Sequence, residues 1–222
     1  MRFIIIGGGG FGLELYTYIA CDIQSGKLPK HCTIGVLDKV ANCELMARIP
    51  NANYLGREQE FVPSEGDRAL IAIGSAAGRK RVYKIIQDRQ IQLGTYIHPS
   101  AWVAPSATLG KGVIVSPNCV VSAFAEVSDN VAINVFCGVG HGAKVGKHSV
   151  MGPYSVINGD TVLGEGCFLG TRATLFPSVV LGKGCMVDTH TAVKASAGDF
   201  KIISVKGQYL VLDNRLAARS QD

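Results

Sequence analysis

A chain of 222 residues, 47% hydrophobic and 18% charged, has room for one or two domains and is rich enough in apolar side chains to build a core. Its 22 basic residues only mildly outnumber the 17 acidic ones and form no run, which argues against nucleic acid as a partner and suits small anionic substrates. No apolar run approaches the ~18 residues of a membrane span, so no membrane insertion is expected; the seven cysteines, odd in number and without a C-x-x-C pair, read as reduced thiols of a cytoplasmic protein.

In chain order, Arg2 to Ile6 reads as a short buried strand, followed by Gly7-Gly8-Gly9-Gly10-Phe11-Gly12 and a helix from Leu13 to about Gln24. This satisfies G-x-G-x-x-G between strand and helix, where Gly7, Gly9, Gly10 and Gly12 let a phosphate approach backbone amides at a helix N-terminus. The alternative is that they serve only a tight turn. A second strand, Thr33 to Leu37, ends at Asp38, a carboxylate placed where a ribose hydroxyl can meet it. A third, Ala69 to Ile73, ends at Gly74-Ser75 and opens a helix from about Gly78 to Ile91 that carries Arg79, Lys80 and Arg81. Residues 1–94 are thus predicted to form a Rossmann-like α/β unit whose strand ends, with Ser75 and Arg79, bind the substrate. A full dinucleotide domain needs about six strands, more than this segment supplies, so a nucleotide-sugar fits better than NAD.

From Ile97 to Val193 an aliphatic residue returns at every sixth position without an insertion, and a small one such as Ala107, Cys119, Cys137, Ala143 or Thr161 follows four later. That is neither a helical period nor plain alternation. Short strands with sharp corners every six residues describe the hexapeptide form of a parallel β-helix over residues 95–197. Three hexads close a triangular coil of 18 residues, so residues 18 apart stack at the strand spacing of ~4.8 Å. Lys111, Asp129, Lys147, Glu165 and Lys183 are 18 apart and alternate in sign, which supports the coil length and an exposed corner. After Val193 the repeat stops. Residues 198–222 read as a hairpin, Ile202 to Val205 turning at Lys206-Gly207 into Gln208 to Leu212, that caps the prism before a polar tail.

The strand Phe3 to Ile6 with its glycine loop, Gly35-Val36-Leu37-Asp38, Ala72-Ile73-Gly74 leading to Arg79-Lys80, and Ile97-His98-Pro99-Ser100-Ala101 together resemble the bacterial sugar acyltransferases. That family includes the sialic acid O-acetyltransferase type and the nucleotide-amino-sugar N-acetyltransferases. The resemblance implies a left-handed prism, against the usual right-handed crossover, and a homotrimer with acetyl-CoA between neighbouring prisms. It also implies that the chemistry sits in the stretch from Ile133 to His141, with His141 as general base and Asn134 seven residues before it. Gly159 matches a glycine whose backbone approaches the thioester or pantetheine, and Gly152, Gly170 and Thr189 are the further residues expected beside the acyl donor. A neutral imidazole, with a pKa of about 6.5, suits removal of a proton from an attacking amine. By the 18-residue register Gly159 lies above His141 and Ala123 below it, which leaves the ring reachable.

The sequence departs from the family in places. Gly142 stands where an acidic residue usually follows the histidine, and Asp160, one coil up in the same column, is the expected substitute. Asp188-Thr189-His190 replaces a glycine-rich run, Phe11 stands where histidine is common, and Lys39 where a second acidic residue follows Asp38. His148 and His190 read as surface residues; with His141 they fall at different positions around the triangle, so no metal site is expected. The reading is an acetyl-CoA-dependent N-acetyltransferase acting on a nucleotide-linked amino sugar, such as a UDP- or GDP-4-amino sugar for surface glycans. The alternatives are O-acetylation of a sialic acid-like sugar and a catalytically inactive nucleotide-sugar-binding or scaffold protein.

Overall fold

A computed structural model describes residues 1–205. Four parallel strands, β1 (Arg2–Ile6), β2 (Thr33–Leu37), β3 (Asn53–Gly56) and β4 (Asp67–Ile71), pair in the order β3-β2-β1-β4. The central strand is apolar on both sides because a helix covers each. Phe3, Ile5 and Leu70 pack on Leu15 and Ile19 of α1 (Gly10–Gln24), whereas Ile4, Ile6 and Ile71 pack on Val82 and Ile86 of α3 (Ala76–Asp88). The short α2 (Glu44–Arg48) and the edge strand β3 were not foreseen. Even with β3 the sheet has four strands, fewer than the roughly six of a full dinucleotide fold.

The hexads form three stacked parallel sheets of seven, six and five strands. We call them face A (Tyr96–Ile97 through Ile202–Ile203), face B (Trp102–Val103 through Ala192–Val193) and face C (Thr108–Leu109 through Val180–Leu181). All strand pairs are parallel with partners 18 apart up to Val193, as in Ala132↔Val150 and Gly138↔Val156, and the arrangement fits the expected left-handed β-helix. In the two-residue strands from Val103 onward the second residue points inward, so Val115, Ile133, Met151, Leu169 and Val187 form a continuous core column. At each corner one residue enters the left-handed region: Asn118, Asn130 and Asp160 do so at φ 56 to 58, but so do Phe124, Phe136 and Tyr154 at φ 59 to 60. The small residue of each hexad closes the corner chemically. Cys119 donates its thiol to the Asn134 carbonyl at 2.9 Å, Cys137 to Gly152 at 3.1 Å, and Ser149 its hydroxyl to Gly164 at 2.9 Å.

The N-terminal unit lies on face A and on the corner between C and A. Tyr96, Ile114, Ala132 and Val150 point outward from face A yet are buried, whereas Met186 and Ile202 higher on the same face are exposed. Ile114 joins the cluster of Phe3, Ile5 and Leu15, and the Tyr96 hydroxyl donates to Asp22 of α1 at 2.6 Å. The charge column is shared between the two units: Lys147 pairs with Asp129 at 3.3 Å, but Glu165 pairs with Lys80 of α3 at 2.6 Å. The repeat also outlasts its sequence signature. Ile202–Ile203 pairs parallel with Met186–Val187, adding one more strand to face A. The remainder of the expected hairpin, from residue 206 onward, lies outside the described residues.

Candidate functional site

The first site is at the carboxyl ends of β1, β2 and β4, a cavity of about 430 Å³ lined by Gly9, Gly10, Phe11, Asp38, Lys39 and Arg81 among others. Its glycines divide by cause. A Cβ on Gly12 would strike the carbonyl of Gly7, and one on Gly7 (φ 107) would come within 2.8 Å of the Ala72 carbonyl, so these two are demanded by helix-strand packing. A Cβ on Gly9 meets nothing within 4 Å and one on Gly10 meets only Glu44 at 3.9 Å. Their lack of side chains leaves the first turn of α1 uncovered. That turn has no side-chain cap and no acidic residue, so its free N–H groups are available to an anion.

Asp38 braces this loop. Its Oδ2 accepts from the Gly8 N–H at 2.7 Å and its Oδ1 from the Val40 N–H at 2.9 Å. Ser75 caps α3, its hydroxyl accepting from the Gly78 N–H at 3.2 Å, and faces a second cavity of about 620 Å³ between α3 and face A, floored by Phe168, Met186 and Phe200. Gly74 borders both cavities.

Arg79 does not serve the strand-end cavity as expected. It is fully buried, donating to the backbone carbonyl of Asn130 at 3.0 Å, to the Asn130 side-chain oxygen at 2.7 Å, and to the Ile71 carbonyl. Burial pulls its pKa down to about 9. The residue of α3 that brings a positive charge to the cavity is Arg81, two positions on, where it joins Lys39. His148 likewise is no surface residue: it is 5% exposed, packs edge-on against Tyr83 of α3 at 4.8 Å, and bonds Asn130 at 2.9 Å. Both corrections have one cause, the docking of α3 on the corner between C and A, which the repeat alone does not reveal.

The second site is the corner between faces B and C. His141 is exposed there, and its ring lies against Gly159 so closely that a Cβ on Gly159 would sit 2.5 Å from Cε1 and Nε2. A groove of about 340 Å³ runs beside it along face B, lined by Ser122, Gly138, Val156 and Asn158. Gly142 is left-handed at φ 64, and a side chain on it would run into Asp160 Oδ1. Asp160 thus occupies the volume of a residue following the histidine. Its N–H donates to the His141 carbonyl at 2.9 Å, and its carboxylate makes no hydrogen bond to the ring among the described residues.

The other expected residues lie along the opposite edge of face B, at the corner between A and B. Asn134 donates its side-chain amide to the Met151 carbonyl at 2.8 Å. Gly152 and Gly170 stack above it, with Cβ positions that would fall 2.6 Å from the backbone of the next coil, and Thr189 is exposed at the top. Face B and its two edges also carry Trp102, Val120, Phe124, Phe136, Tyr154 and Phe176, all large, apolar and exposed. Phe136 stacks on Tyr154 at 4.8 Å, and Arg172 lies over the Tyr154 ring at 5.3 Å. This surface was missed because it is assembled from positions far apart in the chain, such as 102 and 120 or 136 and 154, none of them unusual alone. His141, His148 and His190 sit at three different corners.

The two sites are on opposite sides of the prism. The corner holding His141 is the one across from face A, and face A carries the N-terminal sheet. Among the described residues no helix is long and apolar enough to cross a membrane.

Comparison with family models gives no match, and comparison with curated proteins gives none either. Solved structures do match. The acetyltransferase domain of PglB from Neisseria gonorrhoeae superposes with a TM-score of 0.82 at 22% identity, covering 92% of this chain and 96% of that one. A mutant of perosamine N-acetyltransferase from Caulobacter crescentus gives 0.77 at 24% identity, covering 96% and 98%. WeeI from Acinetobacter baumannii gives 0.78 at 18% identity, covering 91% and 96%. At these identities the likeness is one of fold, and the fold this chain shares, a small parallel sheet followed by a hexapeptide prism, is that of solved bacterial sugar N-acetyltransferases.

Proposed function

We propose that this protein transfers an acetyl group from acetyl-CoA to the amine of a nucleotide-linked sugar, with His141 as general base. The observation that carries the reading is the placement of His141, exposed on a corner with its ring against Gly159 and a groove alongside. As an amine attacks the thioester carbonyl it must shed a proton, which the neutral imidazole accepts as the C–N bond forms. The imidazolium then returns a proton to the thiolate as the C–S bond breaks. Asp160, filling the space over Gly142, would supply a negative charge at the His141 corner. The likeness to the PglB domain, solved also with acetyl coenzyme A, and to perosamine N-acetyltransferase, solved with CoA and GDP-perosamine, supports this donor and this kind of acceptor.

The acceptor's nucleotide would lie in the strand-end cavity, its phosphates on the open turn of α1 and near Arg81, and its sugar would pass Gly74. His141 of the same chain is across the prism from that cavity. The amine therefore meets a neighbouring copy's histidine, in a homotrimer closed over face B and its exposed aromatic edges. Gly152, Gly170 and Thr189 line the edge of face B along which the acyl donor would run.

The test is incubation with acetyl-CoA and a panel of nucleotide-linked sugars bearing free amines or only hydroxyls, read by release of free thiol. Amino sugars should be consumed and their hydroxyl counterparts not. Thiol release from hydroxyl sugars alone would make it an O-acetyltransferase, and release from none would leave a nucleotide-sugar-binding protein without catalysis.

A further inference from the structure

Two carboxylates line the strand-end cavity, and they are not alike. Asp38 has both oxygens engaged by backbone N–H groups. Glu58 is 2% exposed, accepts one hydrogen bond at Oε1 from Gln59 at 3.3 Å, and has no ion-pair partner among the described residues. Its position is built by the backbone. β3 pairs with β2 through a register shift at Val36/Leu37, and Gly56, at φ 103, turns the chain off the sheet, its carbonyl held by the Asp38 N–H at 3.1 Å. Two residues later Glu58 faces the cavity between the β2 end and α3.

No fully enclosed side-chain oxygen among the described residues lacks a hydrogen-bond partner, so the Glu58 oxygen that Gln59 does not engage is reachable from outside the protein, and a carboxylate so enclosed without a cation favours a ligand that supplies donors to it. A ligand that pairs with both oxygens must offer two parallel N–H groups on one edge. Among the common nucleobases guanine does so, through N1–H and the N2 amino group. Uracil and thymine present one N–H between two carbonyl oxygens, and adenine and cytosine place an acceptor beside their amino group, so each of these sets an oxygen or nitrogen lone pair against the carboxylate.

We propose that Glu58 reads the base of the acceptor and selects a guanine nucleotide, which makes the substrate a GDP-linked sugar. The assignment rests on the reading of this cavity as the nucleotide site. The donors are matched: N1–H and N2–H go to the two Glu58 oxygens, while the diphosphate lies at the α1 turn and Arg81.

Calorimetric titration of the full chain with GDP, UDP, dTDP, CMP and inosine diphosphate tests this. GDP should bind most tightly, UDP and dTDP at least tenfold more weakly, and inosine diphosphate, which keeps N1–H but lacks the N2 amino group, about tenfold more weakly than GDP. Glu58→Gln should lose roughly ten- to hundredfold in GDP affinity while binding UDP about as before. UDP binding as tightly as GDP, inosine diphosphate binding equally to GDP, or Glu58→Gln weakening every nucleotide alike would each overturn the assignment while leaving the cavity a nucleotide site. Absence of binding by all five would overturn both. The inosine comparison uses the unaltered protein, so it decides the matter even where the Glu58 variant does not fold.

Discussion

At the scale of single residues, the contact between His141 and Gly159 gives the sharpest expectations. His141→Ala should lower kcat by about 10²–10⁴-fold with acetyl-CoA binding nearly intact, the usual worth of a positioned general base; near-native turnover would place the base elsewhere. Gly159→Ala should also lower kcat, with unfolding midpoint little changed, because its Cβ would push into the exposed ring and not into the core. Asp160→Asn should lower kcat by about tenfold with acetyl-CoA binding unchanged. An unchanged rate would leave His141 oriented by Gly159 alone. His141 was legible as a candidate through the resemblance, and the stacking of Gly159 above it and of Asp160 above Gly142 through a register that repeats every 18 residues. Arg79 and Glu58 were not. Two arginines spaced as Arg79 and Arg81 differ only in which side of α3 they occupy, and Glu58 follows an edge strand with no periodic signal.

At the scale of elements, the prism is held by its corners as much as by its aliphatic columns. Cys137 donates to the Gly152 carbonyl, which also accepts the Ser155 N–H at 3.1 Å, so Cys137→Ala should destabilise by only about 1 kcal/mol, through loss of a buried thiol and its weak hydrogen bond and without leaving that acceptor unpaired. Cys137→Ser should be tolerated, as Ser149 does the same at its own corner; denaturant titration of the pair would show equal losses if volume alone mattered. The junction of the two units has its own pH signature. Burial holds the pKa values of His98 and His148 below the ordinary value. The unfolded chain therefore takes up protons first as pH falls through about 6.5, so stability is full above that value and declines below it. In His148→Gln or His98→Gln the unfolding midpoint should vary less across that window, before the carboxylates paired in Arg2–Asp67 and Lys80–Glu165 titrate at lower pH. A slope unchanged in both variants would assign it to other groups. The hexad pattern announced every strand of the prism to Val193. It was silent on the docking of α3, because Asn130 and His148 share one 18-residue column while Tyr83, which meets them, comes from a helix outside the repeat.

At the scale of the molecule, sedimentation at micromolar concentration should show a trimer, and Trp102→Glu on face B should yield monomers that keep the N-terminal cavity; a trimer unaffected by that charge would move the interface off face B. The aromatic corners make the same point energetically. A left-handed backbone costs a non-glycine residue about 1–3 kcal/mol, and Phe124, Phe136 and Tyr154 carry that cost while exposed on one chain. Phe136→Gly should therefore disfavour assembly more than it disfavours the fold of the single chain. If the amine meets the histidine of a neighbour, mixed assemblies of His141→Ala with Asp38→Ala chains should regain about a quarter of the sites, because a head-to-tail interface pairs one intact cavity with one intact histidine. No recovery would return the reaction to a single chain.

The placement of His141 across the prism from the N-terminal sheet has a kinetic consequence as well. On the proposed reading, a chain with its base on one side and its acceptor cavity on the other would have no complete reaction centre of its own, and turnover per chain would be set by how many of its surfaces are occupied by copies. The initial rate should then rise more steeply than the first power of protein concentration near the dissociation range and become linear above it. Diluting the protein, or breaking face B, would silence catalysis while every chain stayed folded and still bound its nucleotide.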